Sequence, residues 1–323
     1  MNTWPNHDAA WREWREAIRG NRMHHGWLLA GKAGLGKHDF ALAAARELVA
    51  EDGISQPKGD HPDIIVLTHL PKDDKEERKR EEGKPFELKR NISVTQIRAM
   101  QQRLTTRPTL GQRRAIIIDP ADDMERGASN ALLKSLEEPP VGTYFLLLAH
   151  RPSGLLPTIR SRCRMLRFPE LSPADMMRWL EAEMPAAGSA EREAAVALAG
   201  GSLGAARKFL ELQLGTVAQV MQRIVHDAGA GAAASLQAAL VEVIGQRPDR
   251  ERIRAVLDLA RSTLAQALPD AKPGEIPGLI EAHGALVELT AQAPTYNFDP
   301  GLLVGEIASL LARAAGASEP AHG

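Results

Sequence analysis

Gly31-Lys32-Ala33-Gly34-Leu35-Gly36-Lys37-His38 follows the apolar run Trp27-Leu28-Leu29-Ala30 and opens the helical pattern 37–50, KHDFALAAARELVA. Strand, glycine-rich loop and helix in that order are what a phosphate-binding P-loop requires. The glycines let backbone N–H groups turn inward around a phosphate, and Lys37 is placed to reach its outer oxygens. The position after this lysine carries a hydroxyl for Mg²⁺ in a working loop; here it is His38. Imidazole is a poor ligand for a hard cation that prefers oxygen. Two readings stay open: a loop that still holds nucleotide, and a structural remnant of one.

Outward from this loop, further short apolar runs lie at 63–67 (DIIVL), 114–118 (RAIII) and 144–149 (YFLLLA), with a weaker one at 164–168. Helical patterns such as 92–104 separate them. Strands alternating with helices predict a parallel sheet with crossover helices, and near-continuous apolar strands predict a sheet covered on both faces. From 172 onward no strand signal is left. Ser172-Pro173-Ala174-Asp175 reads as a helix start, and helical spacing predicts further helices at about 190–199, 203–212, 216–228, 234–246, 249–266, 277–292 and 300–314. Trp4, Trp11, Trp14 and Trp27 crowd the front, whereas after Phe209 only Tyr296 and Phe298 are aromatic. The expected organisation is an α/β unit over 1–168, a small helical unit over 169–212 and a helical bundle over 213–323.

Composition narrows the function. The 323 residues hold 40 basic against 41 acidic side chains, so a strongly electrostatic nucleic-acid binder acting alone is excluded. The one cysteine, Cys163, excludes an internal disulfide framework and a cysteine-based zinc site. No apolar run reaches membrane-spanning length and the first residues lack a signal-peptide core, so a cytoplasmic protein without membrane contact is expected. Residues 72–84 (KDDKEERKREEGK) carry six bases and six acids and read as a solvated loop or exposed helix. His24-His25 reads as packing, because adjacent residues rarely converge on one ion.

Ile116-Ile117-Ile118-Asp119-Pro120-Ala121-Asp122 is a second signal: an apolar strand ending in an acid of the kind that holds a P-loop magnesium. Where many P-loop ATPases then place a water-polarising Glu, Pro120 offers no acid. Asp122 and Asp123 lie further round the turn. A third signal joins Ser129-Asn130-Ala131-Leu132-Leu133-Lys134-Ser135-Leu136-Glu137-Glu138-Pro139-Pro140 to Leu156-Pro157-Thr158-Ile159-Arg160-Ser161-Arg162-Cys163, with YFLLLA between them.

In this motif order, together with His61-Pro62-Asp63 and Ile92-Ser93-Val94, the chain resembles the bacterial clamp loader subunits of the AAA+ class, which serve DNA polymerase III. The resemblance covers essentially all 323 residues, the last hundred matching in helical pattern more than in motif. It implies a RecA-like AAA+ sheet domain, a helical lid and an all-α C-terminal collar through which five subunits form a ring. ATP sites then lie between neighbours, and Arg162, the arginine of Ser-Arg-Cys, enters the adjacent subunit's site in trans. The implied partners are the tau/gamma and delta clamp loader subunits, with the sliding clamp and primed DNA reached through the complex.

Against the ATP-hydrolysing members the chain departs at four own-site positions. His38 and Pro120 are two. The sensor threonine after the fourth strand maps to Ala149-His150, and the lid arginine after Gly201-Ser202-Leu203 is Gly204. The four-cysteine zinc module of many members is absent. The expectation is therefore a non-hydrolysing subunit, a stator of the holoenzyme with weak or no ATPase of its own. Arg162 is its catalytic contribution, and Gly31, Gly34, Gly36, Lys37, His38 and Asp119 form a degenerate nucleotide loop. No cofactor is required on this reading, ATP stays an open ligand of the loop, and no zinc is expected. The alternative is an ATP-hydrolysing motor of the tau/gamma type.

Overall fold

Five apolar segments pair into one parallel sheet: β1 Gly26–Ala30, β2 Ile64–Leu67, β3 Arg114–Ile118, β4 Thr143–Ala149 and β5 Arg164–Arg167, in the order β2-β3-β4-β1-β5. The computed structural model describes residues 4–20, 23–227, 233–245, 248–292 and 300–314. Each strand matches an apolar run of the sequence to within a residue or so. β1, β3 and the inner part of β4 are buried throughout, as strands covered on both faces must be.

Alternation sorts the side chains between the two faces. On one, Leu28, Ile116, Ile118, Phe145 and Leu147 join a core completed by Ile92, Ile97, Met100, Leu132 and Leu136. Ile92 lies just ahead of α4 Val94–Arg103, and the other partners come from α4 and α5 Arg126–Glu137, which follow α1 Asp8–Arg19, α2 Lys37–Val49 and α3 Asp74–Glu81 in the chain. On the other face, Trp27 meets Trp14 of α1 with ring centroids 5.2 Å apart, and Trp14 in turn meets Phe40 of α2. The short helix α6 Pro157–Arg160 precedes β5. Within 72–84 the structure forms α3, started by Asp73, whose carboxylate accepts from the amides of Lys75 and Glu76.

Two of the motifs behind the resemblance prove to be structural. Asp63 is fully buried, and its carboxylate accepts from the amides of Thr109 (2.6 Å) and Leu110 (2.8 Å), fixing the loop that enters β3. His61 Nδ1 accepts from the Asp63 amide while its Nε2 donates to Gln56. Ser93 and Gln96 form a reciprocal capping box that starts α4.

The described chain divides into two compact units, Met1–Glu170 and Leu171–Gly323. The second contains only helices among its described residues. They are α7 Pro173–Glu183, α8 Ser189–Leu198, α9 Leu203–Glu211, α10 Gly215–Asp227, α11 Ala233–Ile244, α12 Arg250–Ala267, α13 Ile276–Gln292 and α14 Pro300–Ala314. Ser172 caps α7 as expected, accepting from the Asp175 amide. Inside this unit the helices before and after residue 212 are joined: Arg252 of α12 donates to the Leu212 carbonyl (2.6 Å), and Lys208 of α9 pairs with Glu251 (2.9 Å). The expected helix ends at 228 and 246, the aromatics Tyr296 and Phe298, and residues 315–323 of the expected bundle lie outside the described residues. Among the described residues no helix is long and apolar enough to cross a membrane.

Candidate functional site

The glycine-rich loop joins β1 to α2, and Gly34 and Gly36 adopt φ of 75° and 72°, a conformation only glycine takes cheaply. Lys37, almost fully buried, does not point into open space. Its Nζ donates to the carbonyls of Gly31 (2.7 Å) and Lys32 (2.6 Å), closing the loop on itself. Burial pushes its ammonium down to about 8, against the pull of Asp119 and Asp122. The N-terminal segment lies against the same loop. His7 Nε2 donates to the Leu35 carbonyl (2.8 Å), and Trp4 Nε1 donates to Asp39 (3.0 Å). A Cβ added at Gly36 would lie 2.3 Å from the Trp4 ring.

At the end of β3, His38 Nδ1 meets Asp119 Oδ2 at 2.7 Å. The two residues whose counterparts share a magnesium in a working loop are thus bonded to each other. The hydrogen bond to Asp119 holds the His38 imidazole above its ordinary pKa, outweighing burial. Asp122 is no substitute base: its oxygens accept from the amides of His150 (2.9 Å) and Arg151 (3.0 Å), tying β4 to the β3 turn. His150, at the position of the sensor hydroxyl, is pushed below the ordinary imidazole value by burial and then by the Lys37 charge. In place of Ser/Thr and Glu stand an imidazole–carboxylate pair and a proline. That donor set does not fit a magnesium nucleotide poised for hydrolysis.

Arg162 stands at the other end of the unit's chemistry, between α6 and β5. Its Nη1 donates to the Thr158 carbonyl (3.0 Å) and its Nη2 pairs with Glu137 Oε1 (2.6 Å), with a third of the side chain exposed. The mount beneath it draws on three segments. His25 Nε2 donates to the Leu136 carbonyl (2.8 Å), next to Glu137. A Cβ at Gly26 would lie 3.0 Å from the Arg162 carbonyl and 3.2 Å from Cys163 Sγ. The His24 ring stacks on that of His25 and its Nδ1 sits against the Gly26 backbone, so the histidine pair does belong to packing.

The structure thus brings Gly31, Gly34, Gly36, Lys37, His38 and Asp119 together and leaves Arg162 elsewhere on the same unit. Gly204, the fourth altered position, lies at the start of α9 in the second unit, where Ser202 caps the helix. Sequence reasoning missed Trp4 and His7 on the loop and Glu137 and His25 behind Arg162. The crowding of tryptophans in the first residues was a visible signal for the first pair.

Sheet order and glycine-rich loop define a P-loop α/β domain of the RecA-like AAA+ fold. More particularly, the chain belongs to the family whose model is described as DNA polymerase III, delta subunit, which matches residues 6–172. The relatives it resembles include the DNA polymerase III subunit delta' of Pseudomonas aeruginosa, 33% identical over 212 residues, 62% of this chain and 58% of that one. The tau/gamma subunit of Haemophilus influenzae is 28% identical over 169 residues, 50% of this chain and 23% of the relative. The chain spans 46–58% of the length of delta' relatives from five bacteria. A DNA polymerase III gamma subunit-related protein from Thermotoga maritima shares the fold, with a TM-score of 0.53 at 16% identity over 94% of this chain and 99% of that one.

Proposed function

We propose that this chain is a non-hydrolysing delta'-type stator of the DNA polymerase III clamp loader, one that completes a neighbouring subunit's ATP site with Arg162. One observation carries the reading. The chain's own loop is turned inward, with Lys37 on its own carbonyls and His38 on Asp119, while Arg162 stays part-exposed on a built mount. Losing a general base costs about 10²–10⁴ in rate, and Pro120 leaves none at the usual place. A guanidinium, by contrast, presents planar, directed donors that suit phosphoryl oxygens arriving from outside.

On this reading the partners are the tau/gamma and delta subunits. The sliding clamp and primed DNA are engaged through the assembled complex, and the helices after about 212 supply the collar. The chain needs no nucleotide of its own. The test is ATP turnover by the purified chain: background hydrolysis, unchanged by Lys37→Ala, is expected. Turnover near 1 s⁻¹, the low end of ordinary enzyme rates, abolished by Lys37→Ala, would show a tau/gamma-type motor instead.

A further inference from the structure

The mount of Arg162 contains a carboxylate that the stator reading does not use. Glu137 is the last residue of α5, where the helix dipole disfavours an acid. A second acid, Glu138, follows it directly. The Glu137 side chain is half exposed, and a half-exposed ion pair adds little to stability. Stability therefore gives this contact little to do, yet the surroundings are built closely. His25 holds the Leu136 carbonyl, and Gly26 packs so closely on Arg162 and Cys163 that an added Cβ would crowd them.

Orientation is what the contact supplies. Thr158 O takes a donor from Nη1 and Glu137 Oε1 takes one from Nη2. Two acceptors on two different nitrogens fix the plane of a guanidinium, and of its five N–H groups at least two are left to bind something else. A long arginine side chain otherwise loses much rotamer freedom when it docks. Held this way, it arrives with that loss already met. We propose that Glu137 is a positioning residue for Arg162, presetting the guanidinium for phosphoryl oxygens held by a neighbouring subunit.

This inference rests on the trans-acting reading of Arg162, and the experiment separates the two. The complex is rebuilt with only this chain varied, as wild type, Glu137→Ala, Glu137→Gln, Arg162→Ala and the double variant Glu137→Ala/Arg162→Ala. DNA-stimulated ATP hydrolysis is measured as kcat and KM, beside complex stoichiometry. Misplacing a catalytic group can cost up to about 10²-fold. With other sites in the ring still turning over, Glu137→Ala is expected to lower kcat by about 3-fold at an unchanged KM. Glu137→Gln, whose amide oxygen still accepts from Nη2, should recover most of the loss. The double variant should match Arg162→Ala alone. If Arg162→Ala lowers kcat and Glu137→Ala does not, the positioning role is wrong and the finger stands. A double variant below Arg162→Ala gives Glu137 work unrelated to Arg162 and also overturns the proposal. If Arg162→Ala itself changes nothing in an intact ring, the finger reading falls and the role of Glu137 with it.

Discussion

His38 stands at the position after the P-loop lysine, and its ring bonds the Asp119 carboxylate at the end of β3. Its raised pKa has a directional consequence. The folded value lies above the unfolded one, so the His38–Asp119 pair contributes its full stability below about pH 6.5. That contribution is lost as pH rises through the folded pKa. Histidine ring NMR should find His38 titrating above the ordinary value in the wild type and falling in Asp119→Asn. The melting temperature difference between the two proteins should shrink toward alkaline pH. An ordinary His38 titration in both would remove the pair. Lys37 shifts the other way: pushed down to about 8, it makes the native state bind fewer protons than the unfolded chain between that pH and its ordinary range, so stability from this group rises there.

Elements that bury a continuous apolar run were legible in the sequence, since a strand covered on both faces cannot hide its composition. Helix starts were legible where a capping side chain announces them, as at Ser172. What could not be read is pairing across long stretches of chain. The contacts of Trp4 with Asp39 and of His7 with Leu35 span 35 and 28 residues and exist only once α1 has packed on the sheet. Nor does the sequence say which of Glu137 and Glu138 faces Arg162, because helix phase and the bend at the α5 end decide it. His61-Pro62-Asp63 was legible as a motif, but its work was not. With the Asp63 carboxylate fully buried and two backbone amides pointed at it, Asp63→Ala should cost about 2–4 kcal/mol, the penalty of orphaning buried donors of charge-assisted bonds. Urea unfolding would measure it, and a loss within 0.5 kcal/mol, the scale of an ordinary surface substitution, would contradict that account.

At the scale of the whole molecule, two compact units carry unequal chemistry. Met1–Glu170 holds every described residue of the loop and of the Arg162 mount, while Leu171–Gly323 shows only packed helices among its described residues. The proposed stator role is asymmetric: the chain gives to a neighbour's ATP site and runs none of its own. An arginine finger is worth about 10³–10⁵ in rate at an isolated site, less in a ring whose other sites still turn over. The direct measurement is DNA-stimulated ATP hydrolysis by the assembled complex with only this chain altered, Arg162→Ala in one preparation and Lys37→Met in another. This asymmetric role predicts a lowered rate for Arg162→Ala and an unchanged rate for Lys37→Met, both in rings of full stoichiometry. A lowered rate for Lys37→Met with Arg162→Ala unaffected would contradict it.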